Sequence, residues 1–255
     1  MKVCTTIQEI RQELSPLRHS HKIGLVPTMG ALHNGHLSLI KSCKTSTEVC
    51  VATIFVNPAQ FNNAEDLEKY PRTAEKDTAL LKAAGCDFLF MPSTSEIYPE
   101  KPEATIDLGT ITKELEGKFR PGHFNGVSLV VSKLFNIVQP HEAFFGQKDL
   151  QQFYVIQKLI EQLNFDIGLN MVQTERETNG LAMSSRNQRL SVADREEASL
   201  IHQSLLAAKT KLNNTLSISS AKNLVRELFE ASNRFTLEYF EVVDTSNFTP
   251  LKKIE

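Results

Sequence analysis

Residues 49–56, VCVATIFV, are a continuous apolar run of the kind found in strands buried on both faces. A strand of that kind belongs inside a sheet that helices cover on each side. A β-rich run at Ile23–Val26 precedes it, and CDFLFM, residues 86–91, reads as a third strand. Helical patterns lie between them: one opens just after Gly30, and one spans about Thr73 to Ala84, with Thr73 as N-cap and Gly85 as the stop. The β-α-β-α-β order with short connections predicts an α/β fold, a parallel sheet flanked by helices. Ligands then belong at the carboxyl ends of the strands.

Residues 92–122 are rich in Pro, Glu, Lys and Gly and read as an excursion outside the core. GVSLVVSKLFNIV is apolar nearly all round and halts before Pro140, which predicts a buried helix. AFFG is a short strand, DLQQFYVIQKLIEQL an amphipathic helix with Phe153, Ile156 and Ile160 on one face, and IGLNMVQT closes the sheet. From about Glu175 the pattern changes to polar loop and then helices. Ser191 with Asp194 forms a capping box ahead of a long helix carrying Ile201, Leu205 and Ala208. A second helix near Ala221–Ala231 and a strand near Leu237–Val243 complete a smaller C-terminal α+β unit. The expected division is residues 1–174 and residues 175–255.

A length of 255 residues suits one large domain, or a medium one with a small companion. The net charge of −2 gives no general attraction to nucleic acid or to an anionic membrane, so a phosphate-bearing ligand has to be held locally. Cys4, Cys43, Cys50 and Cys86 form no C-x-x-C, which points to reduced thiols in a cytoplasm. No apolar run reaches the ~18 residues of a spanning helix, and MKVCTTIQEIRQEL lacks the apolar centre of a signal peptide. The expected protein is neither exported nor anchored.

The chemistry concentrates first in PTMGALHNGHLSL, residues 27–39. Gly30 allows a tight bend with positive φ. His33 and His36, three apart at the start of a helix, share one face, with Gly35 between them. Unpaired N–H groups and the positive end of the helix dipole lie there, which is the layout of a nucleotide-phosphate site. Two other readings stand beside it: zinc held by His-x-x-His, although no third ligand lies at usable spacing, and two surface histidines without a role.

Four further stretches gather polar groups at turns or strand ends. Asn57–Asn62 is either a polar loop or a set of amide donors and acceptors for a small polar substrate. Arg120–Gly126 is a structural turn or a substrate loop in which Arg120 offers a planar fork. In Phe145–Gln152, Lys148 can meet phosphate as a point charge and Asp149 can cap a helix or contact a ribose. Gly180–Asn187 carries two hydroxyls and a guanidinium, a capped turn or a lid that neutralises a leaving pyrophosphate.

Taken together and in order, PTMGALHNGHLSL, IFVNPAQF, YPRT, RPGHFNGV, FGQKDLQQ and RETNGLAMSSRN resemble the pantothenate synthetases, the pantoate:β-alanine ligases of the cytidylyltransferase-like nucleotidyltransferase superfamily. The resemblance runs from Pro27 to about Asn187. It implies a Rossmann-like nucleotide- and pantoate-binding domain with a small lid domain, and an ATP-dependent condensation of pantoate with β-alanine through a pantoyl-adenylate. AMP and pyrophosphate leave, Mg²⁺ is held mainly by the phosphates, and the enzyme is a homodimer. It makes His33 and His36 the His-x-Gly-His pair on the ATP phosphates, in a pocket with Pro27, Thr28, Met29 and Gly30. Gly146, Lys148 and Asp149 match nucleotide contacts. Glu175, Met183, Ser184, Ser185 and Arg186 match the loop that stands in for the synthetase Lys-Met-Ser-Lys-Ser lid. Gln60 and Gln152 match the glutamines that hold pantoate, with Met29, Asn57, Tyr70 and Arg120 in the matching substrate stretches. His33, His36, Lys148, Ser184, Ser185 and Arg186 are the expected catalytic set.

The chain departs from that pattern in places. Asn179 stands where the family usually has Asp, Glu175 where it has an apolar residue, and Lys118 where Arg is commoner. The chain ends at Glu255 where the family continues into a basic closing segment, so an abbreviated C-terminal unit is expected. Two rivals share parts of the pattern. Another nucleotidyltransferase of the superfamily would keep the His pair without RPGHFNGV and FGQKDLQQ, and a non-catalytic nucleotide sensor would keep the pocket without its phosphate-neutralising groups.

Overall fold

The computed structural model describes residues 1–232 and 234–253, in two compact units, Met1–Thr174 and Glu175–Glu255. The first unit begins β1 (Lys2–Cys4), α1 (Ile7–Leu14), β2 (Ile23–Thr28), α2 (Asn34–Ser46) and β3 (Val49–Ile54). It continues α3 (Ala64–Glu68), α4 (Ala74–Ala83), β4 (Phe88–Phe90), α5 (Thr94–Ile97), α6 (Glu116–Phe119) and α7 (His123–Val138). It closes with β5 (Glu142–Gly146), α8 (Leu150–Leu163) and β6 (Gly168–Val172). The strands form one parallel six-stranded sheet in the order β1-β4-β3-β2-β5-β6, the α/β class expected from the apolar runs.

β3 is buried at every position, so both its faces require cover. Right-handed crossovers supply it: steps from β2 to β3 and from β3 to β4 put α2 and α4 on one face. Steps in the opposite direction put α1, α7 and α8 on the other. α2 accordingly packs on β2, β3 and β5, while α7 packs on β2 between α1 and α8. Cover on several sides is why α7 is apolar almost all round. At Gly126 the Pro58–Gln60 turn comes so close that a Cβ would lie 2.1 Å from the Ala59 carbonyl oxygen. From β2 the strand order runs one way through β3 and β4 and the other way through β5 and β6. The switch point, where open α/β sheets take their ligands, therefore lies between β2 and β5.

Several elements differ from the pattern reading. β1 is an edge strand of three residues paired to β4, too short to carry a legible period. Residues 92–122 contribute to the core through Ile97, Tyr98, Leu108 and Ile111. Gln151 pins this segment, donating to the carbonyls of Ile111 and Glu114 at 2.8 Å each and accepting the Glu116 N–H at 3.2 Å. The buried face of α8 is Phe153, Val155, Ile156 and Leu159, with Ile160 only half-buried.

The second unit contains α9 (Val192–Glu197), α10 (Leu200–Thr215) and α11 (Ile218–Glu230). Ser191 does cap a helix, accepting the Asp194 N–H at 3.1 Å, but that helix stops at Glu197 instead of running on. Three-residue hydrogen bonds from Ser199, Ile201 and His202 tighten the junction and turn the next helix on its axis. Ile201 and Leu205 are consequently 48% and 46% exposed, while Ser204 and Ala208 are buried. Ala208, Ala221, Val225 and Phe229 form the small core, flanked by Leu200, Leu212, Phe235, Leu237 and Phe240. The strand expected at Leu237–Val243 is absent among the described residues, where only a Val243–Pro250 bridge forms. Phe235 and Leu237 reach the core two residues apart, as a strand's period would place them, but no neighbouring strand pairs with this segment among the described residues.

Candidate active site

The turn from β2 into α2 is built almost wholly from internal hydrogen bonds. The Thr28 hydroxyl donates to the Thr53 carbonyl at 2.6 Å and accepts the Gly30 N–H at 3.2 Å, so this buried side chain closes the strand end. Pro27 and Met29 on either side are half-buried. Gly30 and Ala31 both take positive φ, 84° and 51°, and reverse the chain. His33 then lies in extended backbone as the N-cap of α2, outside the helix in which its spacing had put it.

The two imidazoles form a capping box in which rings take the place of the usual hydroxyl and carboxylate. The His33 Nδ1 accepts the Gly35 N–H at 3.2 Å, the His36 Nδ1 accepts the His33 N–H at 3.3 Å, and the ring centroids are 4.1 Å apart. N–H groups expected to be unpaired at this helix start are thus already engaged. An Nδ1 that accepts leaves the proton of a neutral ring on Nε2. Burial, then the charges of His33 and Lys148, hold the His36 pKa down at about 3 against an ordinary 6.5, with Asp149 opposing. Near neutral pH His36 is therefore an N–H donor without a net charge.

At the neighbouring strand end, Gly146 terminates β5, and a Cβ built there would meet nothing within 4 Å. Lys148 and Asp149 follow, paired with each other at 3.1 Å, with side chains 38% and 59% exposed. Asp149 stands at the N-cap of α8 without making a side-chain cap bond. β2 and β5 are neighbours in the sheet, so the loops that leave them lie side by side at the switch point, and the charges of Lys148 and Asp149 act on His36.

The loop after β3 joins them through Gln60, whose Nε2 donates to the Met29 sulfur at 3.2 Å. The Gln60 Oε1 accepts from the Asn57 Nδ2 at 3.0 Å. Asn57, expected to meet substrate, is buried and fully engaged: its Oδ1 accepts from the Ala59 N–H and the Tyr98 hydroxyl, and its Nδ2 also donates to the Gly126 carbonyl. Its position makes it a brace for Gln60. His123 is a second brace, its Nδ1 2.9 Å from the Gln60 carbonyl oxygen, and burial lowers its pKa. Tyr98, missed in the sequence, completes the set, and burial pushes its phenol up to about 12. The one available signal for it was an aromatic hydroxyl at the end of a short capped turn. Tyr70 is buried edge-on against Phe61, centroids 5.8 Å apart. Arg120 reaches to 4.0 Å from the Glu116 carboxylate, and Gln152 is half-buried beside the structural Gln151.

In the second unit the candidate lid residues sit on a small hairpin. The Glu175 carbonyl accepts the Met183 N–H at 2.9 Å, Arg176 bridges Ala182, and Gly180 turns with φ 92°. Ser184 caps the turn Ser185–Arg189 by accepting the Arg186 N–H at 3.2 Å; Ser185 is buried and Arg186 half-buried. Asn187, also buried, donates to the Glu177 carboxylate at 2.8 Å and the Ala182 carbonyl at 3.0 Å. Asn179 donates to the Arg195 carbonyl and the Glu196 carboxylate, both at 3.2 Å. An Asp at 179 would set one carboxylate against another, which gives the departure a physical reason.

The four cysteines are free and buried, no group of three His, Cys, Asp or Glu side chains among the described residues is placed to hold a metal, and no helix there is long and apolar enough to cross a membrane.

A family model described as pantoate-beta-alanine ligase matches residues 2–255. A pantothenate synthetase of Cytophaga hutchinsonii is 47% identical over 241 residues, 94% of this chain and 85% of the relative. One from Rhizobium etli is 44% identical across 100% of this chain and 85% of its own length. Among solved structures, pantothenate synthetase from Thermus thermophilus superposes with a TM-score of 0.94 at 39% identity, covering 100% of this chain and 91% of that one. A pantoate-beta-alanine ligase from Francisella tularensis, complexed with beta-gamma ATP and beta-alanine, gives 0.80 at 37% identity over 89% and 86% of the two chains.

Proposed function

The chain belongs to the pantoate-beta-alanine ligase family, and on that footing we propose that it joins pantoate to β-alanine with ATP, through a pantoyl-adenylate, releasing AMP and pyrophosphate. In the first step a pantoate carboxylate oxygen, ionised near neutral pH, bonds to the α-phosphorus as the bond to the pyrophosphate oxygen breaks. In the second, the free amine of β-alanine bonds to the acyl carbon, AMP departs with the bridging oxygen, and the amine nitrogen loses a proton. Neither step asks for a strong base. Placement and stabilisation of phosphate charge carry the rate.

The observation that carries the reading is the imidazole capping box beside Lys148 and Gly146 at the switch point. A neutral His36 donates from Nε2 to a phosphate oxygen without the like-charge cost of a second cation near Lys148. The open space over Gly146 suits the nucleotide, and Gln60, braced by Asn57 and His123, suits the hydroxyl and carboxylate of pantoate. In this reading the first unit binds ATP and pantoate, with Gln152 and Arg120 completing the pantoate side, and water is kept from the anhydride. Magnesium, in the same reading, rides on the ATP phosphates. Free, buried thiols fit a reducing cytoplasm. The homodimer that the family implies is checked by sedimentation.

The test is isotope exchange. ATP, Mg²⁺ and pantoate without β-alanine should exchange labelled pyrophosphate into ATP, because adenylate formation is reversible while the anhydride is sheltered. A protein that binds ATP yet shows no pantoate-dependent exchange would defeat the reading.

A further inference from the structure

Asp77 lies in the first turn of α4, 1% exposed, and touches neither the His pair nor Lys148 by hydrogen bond. Its partners are two successive backbone N–H groups and a hydroxyl. Oδ2 accepts the Ala31 N–H at 2.8 Å, Oδ1 accepts the Leu32 N–H at 2.8 Å, and the Thr73 hydroxyl donates to Oδ2 at 3.1 Å. The next N–H in the chain, that of His33, goes to the His36 Nδ1. Three consecutive N–H groups of one turn are thus divided between a carboxylate from another helix and the imidazole of the site.

Successive N–H groups aimed at one point form a concavity for an anion, as phosphate-binding loops use them. Here the protein fills that concavity with its own carboxylate. Two consequences follow. The backbone before α2 is engaged, so phosphate has to be met by side chains. And the turn gains a clamp where it needs one, because Ala31 is not glycine yet holds φ at 51°, a conformation L-residues rarely adopt. The approach is tight: a Cβ on Gly30 would lie 3.1 Å from the Asp77 Oδ2.

We propose that Asp77 is the positioning residue of the His33–His36 pair: by clamping Ala31 and Leu32 it delivers the His33 N–H to the His36 Nδ1, and so fixes the orientation and tautomer in which that ring meets phosphate. Asp77 itself need not touch substrate. The rates below rest on the ligase reading; the ring tautomer does not.

The variant Asp77→Asn keeps the shape but loses one acceptor, because the amide NH₂ must face one of the two N–H donors. Nitrogen-15 NMR of the His33 and His36 rings without substrates should give pure Nε2–H tautomers in the native protein and a mixed or inverted tautomer at His36 in the variant. Pantoate-dependent pyrophosphate exchange should fall roughly 10- to 100-fold in kcat, as expected for misplacement of a catalytic group by about an ångström, with KM for pantoate changed less than about threefold. Should Asp77→Asn not fold, Thr73→Val removes only the hydroxyl contact and should shift both readouts in the same direction, about two- to fivefold in kcat. A folded Asp77→Asn protein, or Thr73→Val in its place, that keeps native ring tautomers and native kcat overturns the proposal and leaves Asp77 a brace for the fold. Loss of thermal stability with unchanged rings overturns it equally. If the native protein shows no pantoate-dependent exchange, the ligase reading fails, and the ring spectra still decide the role of Asp77.

Discussion

The loops that leave β2 and β5 flank the same switch point and are held in opposite ways. After β2, Thr28, Gly30, Ala31, Leu32 and His33 all have their backbone or side chains tied by internal hydrogen bonds, two of them to the buried Asp77. After β5, Gly146 has open space above it, and Lys148 and Asp149 pair with each other at 3.1 Å with side chains 38% and 59% exposed. The first loop is preorganised, and its histidines are set before any ligand arrives. The second carries the full charge and leaves its geometry to be completed by what binds. A site assembled this way divides the work: a pair of imidazoles held by internal hydrogen bonds gives orientation, and a part-exposed cation gives attraction.

The comparison breaks first at His36. His36→Ala should lower turnover by about 10²–10³ with circular dichroism unchanged, the usual cost of one preorganised donor to developing charge; near-normal AMP release from the folded variant would return the pair to a purely capping role. Next comes Lys148→Ala, expected to raise KM for ATP roughly 10-fold or more while leaving KM for β-alanine alone, since a charge-assisted hydrogen bond contributes ~1.5–3 kcal/mol. A selective effect on β-alanine would show that the β5 loop faces the amine.

Two glycines sharpen the contrast at lower cost. Gly30→Ala places a side chain at φ 84° with Asp77 and Ile54 each 3.1 Å away, and should lower stability by about 1–2 kcal/mol in chemical denaturation. Gly146→Ala enters empty space at an ordinary backbone conformation, so stability should stay within about 0.5 kcal/mol while ATP binding weakens. Equal stability losses would mean that the two loops are not held differently.

The smallest effect on rate is that of pH near neutrality. His36 has a folded pKa of about 3, below the ordinary 6.5, so between those values the unfolded chain binds a proton that the folded chain does not. Stability contributed by the neutral ring is complete above about pH 6.5 and is lost as pH falls toward 3. Between about pH 6 and 8, kcat should show no limb belonging to His36, and its ring should not titrate by NMR. A His36 titration near 6.5 would mean that the ring is solvated, like the β5 loop.

Much of this architecture was legible in local pattern. Apolar runs at 49–56 and after Ile23, glycine stops at Gly30 and Gly85, and an apolar helix ending before Pro140 predict a parallel sheet with helices on both faces, because burial acts residue by residue and leaves its period in the chain. The histidine pair, Gln60, Gly146 and Lys148 were expected at turns and strand ends, and their positions in the fold agree with that much. What tertiary structure alone decided is which polar groups are spent on holding the frame. Asn57 and Gln60 stand three apart in one loop, yet one is buried as a brace; Gln151 and Gln152 are neighbours, and Gln151 pins residues 111–116. Ile201 and Leu205 carry a helical period and still face solvent, because the tightened junction before them turns the helix. Asp77 reads as an ordinary first-turn acid of α4, and its role depends on Ala31, 46 residues earlier in the chain. Hydrogen-bond partners separated by that distance leave no period or spacing in a sequence, since only the packed sheet brings them together.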